Sequence, residues 1–261
     1  MEYKKLNMNH RGLKAGSAGR RGRRTAVFDA LFKKYKRIIF FDTETTGLEP
    51  DKDDQMIELA AVALDRDGKQ TEMDDFIKLS VKQELPQKII DLTHILPITL
   101  SSKGLEEAQA VEKFIRLMEC GGGSLLVAHN AQFDLMFLCL AIHRNREYGK
   151  GWMKAFNDAD YLDTQTVYRD RHPFPHRLES AIALFGLEGK AQNSHRAVDD
   201  AKALFEVAKK LDEEKDDFHK YVNIFGYLRK FGPEKHPFRK VRYGEQGFDN
   251  SRRVPLYERA G

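Results

Sequence analysis

The 261-residue chain has only two cysteines, Cys120 and Cys139. That number excludes a disulfide scaffold and a four-cysteine zinc site, and it fits a reducing, cytoplasmic setting. No apolar run approaches the roughly 20 residues that a membrane-spanning helix needs, so no membrane partner is expected. The longest early run, Ile38 to Phe41, is also shorter than the hydrophobic region of a signal peptide. No internal repeat is visible. What the chain does have is 41% hydrophobic and 32% charged residues, the balance of a highly charged globular protein with one substantial core.

The charge is unevenly placed. Residues 1–38 hold 12 Lys and Arg against 2 Asp and Glu, and residues 229–261 hold 9 against 4. The span 39–228 holds 23 against 34. An acidic body therefore carries two basic ends, which suit either phosphate-bearing partners or solvated tails. Residues 1–24 read as a disordered arm, because the Gly- and Arg-rich run 9–24 has too little apolar surface to offset chain entropy. Residues 25–35 read as a short amphipathic helix, capped by Thr25 and apolar at Phe28, Leu31, Phe32 and Tyr35.

Buried-strand patterns follow at Ile38–Phe41, Met56–Leu64, Met73–Leu79, Leu125–Ala128 and Ala159–Thr164. Helices are expected after Pro86, over Leu105–Met118, from about Ala131 to Ile142, near 178–185 and over 196–211. Three strands followed by strands alternating with helices indicate an α/β mixed sheet with helices on its faces.

Three acidic constellations stand out. Asp42 and Glu44 follow the first apolar strand and, by strand alternation, project to one side. Two carboxylates so placed repel each other and suit a hard divalent cation between them, or else mark an acidic turn. Gly47 would let the backbone approach a ligand. Asp134 opens a helix that is apolar nearly all round, so it needs a metal, an arginine or backbone donors. Asn130 could cap that helix. In the segment His195-Arg196-Ala197-Val198-Asp199-Asp200, helical spacing puts Asp200 at the edge of the apolar stripe and Asp199 toward solvent. His195 lies at the helix entrance.

The segments FFDTETTGL, LVAHNAQFD and HRAVDDAKAL, in this order, resemble the three motifs of the histidine-type DEDD 3′–5′ exonucleases. The likeness is to the proofreading exonucleases of the DNA polymerase III epsilon and PolC types, over residues 36–211. The tyrosine-type subgroup has Tyr four residues before the last Asp, where this chain has Arg196. PQKIIDLTHI is similar to a family helix that usually reads Leu-Thr-Gly-Ile, with His94 in place of the glycine.

The resemblance implies a ribonuclease H-like fold: a five-stranded mixed sheet flanked by helices, with residues 212–261 as a basic, aromatic extension. It implies two Mg²⁺ (or Mn²⁺) ions held by Asp42, Glu44, Asp134 and Asp200, with Asp42 bridging and Glu44 and Asp200 holding the ion beside the attacking water. His195 would take the proton from that water, a role suited to a side chain that titrates near neutral pH. Backbone groups near Thr45 and Thr46 would meet the terminal sugar and Leu48 the terminal base. His129 and Asn130 would line the same pocket, or serve only capping and strand-end packing.

The expected activity is removal of nucleoside 5′-monophosphates from single-stranded or frayed 3′ ends, with DNA favoured over RNA and a separate polymerase subunit as partner. An exoribonuclease or oligonucleotide-degrading enzyme is the alternative. A nuclease-like binding module fits less well, since all five catalytic positions are filled. The extension could stack on bases, cover the core or bind another protein.

Overall fold

The computed structural model describes residues 27–81, 84–119, 123–191, 194–228, 238–248 and 253–260. The arm at 1–24, Thr25 and Cys120 lie outside them. The short helix α1 (Asp29–Phe32) precedes β1 (Arg37–Thr45), β2 (Met56–Asp65) and β3 (Gln70–Phe76). Helices α2 (Gln87–Thr93), α3 (Pro97–Lys103) and α4 (Glu107–Met118) lead to β4 (Ser124–Ala128). Then come α5 (Ala131–Arg144), α6 (Trp152–Asp158), β5 (Asp160–Asp163), α7 (Thr164–Arg171), α8 (Leu178–Leu184) and α9 (Ala197–Glu214). Strands β6 (Ile224–Leu228) and β7 (Arg242–Gln246) and helix α10 (Leu256–Arg259) complete the described elements.

The five-stranded sheet has the order β3-β2-β1-β4-β5. β1 pairs antiparallel with β2 and parallel with β4, so it sits in the centre of a mixed sheet. Central strands are buried on both faces and read as continuous apolar runs, which is why Ile38, Ile39, Phe40 and Phe41 are all fully buried. Ile39 and Phe41 pack with Phe114 of α4 and Leu135 and Leu138 of α5. Ile38 and Phe40 face the other way, toward Leu204, Val207 and Leu211 of α9. Alternation along β1 thus assigns each side chain to one helical layer.

The sequence reading found these strands and the larger helices but set several bounds differently. β1 runs on through Asp42 and Glu44, so both carboxylates are strand residues rather than residues of the exit turn. The third strand ends at Phe76 rather than Leu79, and Thr164 opens α7 instead of closing β5. Helices α3, α6, α7 and α10 and strands β6 and β7 were not foreseen.

The segment after α9 returns to the core. Phe218, Tyr221, Ile224 and Leu256 are buried in the same cluster as α9, while Phe225, Phe238 and Val241 join the opposite one. Asp170 of α7 fastens the return, accepting hydrogen bonds from Gln246 Nε2 (2.7 Å), the Leu256 N–H (2.5 Å) and the Tyr221 hydroxyl (3.1 Å). Much of the aromatic content of the extension is therefore core. The boundary expected at residue 212 falls inside α9. At the other end, Phe28 packs at a tilt against Phe40 and stacks on Phe218 (ring centroids 5.4 and 6.0 Å), and its N–H donates to Asp212 (2.8 Å). No helix among the described residues is long and apolar enough to cross a membrane.

Candidate active site

Four carboxylates converge where β1 leaves the sheet. Asp42 and Glu44 lie on the face that α9 covers, and Asp200, in the first turn of α9, is only 5% exposed. Asp134 comes from the opposite layer, in the first turn of α5, and is 3% exposed. The residue between the two strand acids, Thr43, holds it there. Asp134 Oδ1 accepts from the Thr43 hydroxyl (2.8 Å) and the Thr43 N–H (3.1 Å). The period of two in β1 therefore serves twice: even positions present carboxylates, and the odd position between them anchors the carboxylate from the other face.

Burial and mutual repulsion raise the pKa values of this group together, making each a weaker acid. Asp42 is pushed well above the usual carboxylate range by burial, then by Asp134, Asp200 and Glu44. Burial, with help from Asp200, pushes Glu44 up to about 8. Burial raises Asp134 to about 7 despite the Thr43 bonds, and Asp200 to about 7 despite the Ser194 N–H bond at 3.1 Å.

Glu58 of β2 stands directly opposite Glu44 across the strand pair and is fully buried. Like charges in that relation are destabilising, but Glu58 is matched by Arg196. The Arg196 Nη2 lies 2.7 Å from Glu58 Oε1, and the Ala197 N–H donates to Oε2 at 2.9 Å. This pair fixes the entrance of α9 against β2. Between it and Ser194, His195 is held exposed with φ 55, in the left-handed region that non-glycine residues seldom enter. Ligand atoms of Glu44, His195 and Asp200 lie within 4.8 Å of one another. Asp199 is half-buried and accepts from the Ser194 hydroxyl (2.7 Å), so it braces the same turn rather than facing solvent outright.

The turn after β1 is also built from within. Thr45 and Thr46 are buried, with Thr45 Oγ1 donating to the Gly47 carbonyl (2.6 Å) and Thr46 Oγ1 to Asp54 (3.0 Å). A Cβ on Gly47 would lie 2.2 Å from the Asp54 carboxylate. The glycine is thus required by an internal contact, a different reason from the ligand approach first expected. The turn leaves Leu48 77% exposed beside the site.

A family model for the RNase T type of exonuclease matches residues 39–208. The chain belongs to this exonuclease family. Over 185 residues it is 35% identical to a DNA polymerase III of the PolC type from Clostridium perfringens, a match covering 68% of this chain and 12% of that protein. It is 30% identical over 183 residues to a DNA polymerase III subunit epsilon from Treponema pallidum, covering 69% of this chain and 80% of that one. The structure of Escherichia coli exonuclease I in complex with a dT13 oligonucleotide superposes with a TM-score of 0.60 at 20% identity, over 72% of this chain and 43% of that one. The last likeness shows a shared fold, in line with the ribonuclease H-like sheet expected. The 3′–5′ exonuclease class read from the three motifs stands with the family membership.

Two of the expected substrate contacts sit differently in the fold: the His129 ring is engaged inside the protein, whereas the Asn130 side chain is exposed on a groove. His129 has both ring nitrogens engaged, by Thr164 Oγ1 and by the His176 carbonyl, each at 2.9 Å. Burial holds its pKa below the usual value. Its ring serves strand-end packing. Asn130 is exposed with φ 68 and makes no side-chain cap bond to α5, contrary to the expected N-cap. The cap comes from Asp163 at the end of β5. Its Oδ1 accepts from the Asn130 N–H (2.8 Å) and the Ala131 N–H (3.2 Å). The same carboxylate caps α7 through the N–H groups of Gln165 and Thr166. Asp163, Asp54, Glu58 and Thr43 all shape the site, and sequence reading missed each of them.

Proposed function

We propose that the chain is a divalent-cation-dependent 3′–5′ exonuclease that releases nucleoside 5′-monophosphates from single-stranded or frayed DNA ends. The observation that carries this reading is the group of four carboxylates around the end of β1, each with a raised pKa. Arg196, the arginine nearest to hand, is already paired with Glu58. Four such groups cannot all be charged near neutral pH without added positive charge, and an all-oxygen donor set suits Mg²⁺ or Mn²⁺. Asp42, Glu44, Asp134 and Asp200 would hold two ions. When bound, such ions polarise a phosphoryl oxygen and make water a nucleophile at neutral pH.

The protein's own groups supply the rest. His195 stands at the rim of the cluster, close to Glu44 and Asp200, where a ring nitrogen can accept the proton of the attacking water. The Arg196–Glu58 pair fixes the backbone beside His195 and so helps keep the residue in its left-handed conformation. Exposed Leu48 offers an apolar face to the terminal base. The epsilon relative supports a partnership with a separate polymerase subunit, and the exonuclease I complex supports single-stranded DNA as substrate.

Incubating the chain with 5′-labelled single-stranded DNA, single-stranded RNA and a 3′-mismatched duplex tests the substrate. The expected result is a descending ladder on single-stranded DNA and on the mismatched end. A ladder on RNA alone would replace this reading with the exoribonuclease one.

A further inference from the structure

Beside the acidic cluster lies a groove of about 810 Å³ whose lining runs from the first two motifs to residues outside all three. Its lining begins at Leu48 and Asn130, next to the catalytic end of β1, and continues to Phe133, Arg169, Phe174, Arg177 and Tyr227. Tyr227 belongs to β6, beyond the 39–208 region of the family match. One wall of the groove is therefore supplied by the C-terminal segment.

Among the described residues, neither of two arginines in this lining forms an ion pair with a carboxylate. Arg169 is only 6% exposed, yet its guanidinium reaches neutral acceptors alone: Gln165 Oε1 (2.6 Å), the Gly226 carbonyl (3.3 Å) and Gln246 Oε1 (3.4 Å). Its Nε is buried with no hydrogen-bond partner. Burial pulls its pKa below the ordinary value, and Asp163 and Asp170 offset this only through space. The Asp163 carboxylate already accepts from the N–H groups that open α5 and α7. Arg177 is exposed at the start of α8 and makes no ion pair or side-chain hydrogen bond among the described residues. At the Leu48 end, Glu49 is paired with Lys52 at 2.7 Å, and Asp51 adds one negative charge.

A buried guanidinium whose direct acceptors are all neutral, with its carboxylates acting only through space, is costly and favours an added anion. Phe174, 62% exposed, and Tyr227 add aromatic faces on the same groove. Cations and aromatic rings combined in one groove are the chemistry that holds single-stranded nucleic acid: phosphates to arginine, bases to rings. We propose that this groove binds the strand on the 5′ side of the terminal nucleotide, with Arg169 and Arg177 serving its phosphates and Phe174 and Tyr227 its bases. The inference rests on the exonuclease reading and adds to it a second subsite, partly built by the C-terminal segment.

The test compares two substrates on the full chain with Mg²⁺. The p-nitrophenyl ester of thymidine 5′-monophosphate fills the terminal site alone, whereas a twelve-residue oligothymidylate reaches the groove as well. In Arg177→Ala, the ratio of kcat/KM for the oligonucleotide to that for the ester should fall about tenfold, mainly through KM, as expected for loss of one charge-assisted contact. The salt slope of oligonucleotide binding should flatten by about 0.7. Arg177→Lys should recover most of the ratio, and Arg169→Gln should lower it too. If Arg169→Gln melts early, Arg177→Ala decides. A wild-type chain that cleaves both substrates, with a ratio unchanged in Arg177→Ala, overturns the groove proposal alone. A wild-type chain that cleaves neither overturns the exonuclease reading and this inference with it.

Discussion

Arg196 and Glu58, 138 positions apart in the chain, form the ion pair that sets the N-terminal end of α9 against the sheet. Arg196 Nε and Nη2 both address the buried Glu58 carboxylate, and the guanidinium lies over the Phe76 ring at 4.8 Å from its centroid. Without this pair, Glu58 would be one more unmatched carboxylate opposite Glu44.

Arg196→Gln should therefore cost both stability and turnover. Breaking a buried pair leaves an uncompensated charge, and because Arg196 is about a third exposed the loss should be nearer 2 kcal/mol than the full value for a buried pair. Urea unfolding should show a lower midpoint with an unchanged slope. The double variant with Glu58→Gln should recover part of the stability, because it removes the stranded charge.

The adjacent aspartates should separate cleanly. Asp200→Ala removes a carboxylate of the cluster and should abolish turnover. Asp199→Ala removes a half-buried brace to Ser194 and should cost about 1 kcal/mol of stability, with turnover reduced only a few-fold. Paired measurements of kcat and Tm on both variants check this, and equal loss of turnover would contradict the assignment.

Protonation of the cluster predicts an unusual pH profile for the metal-free protein. The folded-state pKa values of Glu44, Asp134 and Asp200, about 8, 7 and 7, lie above their unfolded values near 4. The folded state then binds more protons, so this contribution to stability is full below about pH 4 and is lost as pH rises toward about 8. In EDTA, Tm should fall between about pH 5.5 and pH 8.5, and Asp42→Asn should be the more stable protein at the upper end. A difference on the order of 1 kcal/mol would appear as roughly 2–4 °C. Added Mg²⁺ should raise the wild-type Tm more at high pH than at low pH. A flat wild-type profile in EDTA would contradict the coupling of these four groups.

His195→Ala should slow single turnover about 10²–10⁴-fold if its ring accepts the proton. The four carboxylates remain, so Mg²⁺ affinity by calorimetry should change little, and raising pH should recover part of the rate. Loss of metal binding in this variant would make His195 a ligand, a role its position near Glu44 and Asp200 also permits.

The candidate site was legible in sequence wherever a local period governs direction. The strand period placed Asp42 and Glu44 together, and the helical period separated the inward Asp200 from Asp199. The apolar runs of β1, β2 and β4 made the centre of the sheet equally plain. What was hidden depends on long-range pairing. Neither Glu58 matched to Arg196 nor Asp163 capping a helix from a neighbouring strand leaves a pattern in its own segment. Helix α7 escaped for a related reason. Its TQTVYRDR sequence reads as polar, yet Arg169 and Asp170 are buried because the C-terminal segment returns to cover them.

The central claim is that cations held by the four carboxylates make this an exonuclease. The direct measurement is single-turnover release of nucleoside 5′-monophosphate from single-stranded DNA by chain stripped with EDTA, before and after Mg²⁺ is restored, in wild type and in Asp42→Asn. The account predicts no release from stripped protein, full release by wild type once Mg²⁺ is restored, and none by Asp42→Asn in either state. Release that persists after complete chelation, or Asp42→Asn acting at the wild-type rate, would contradict it.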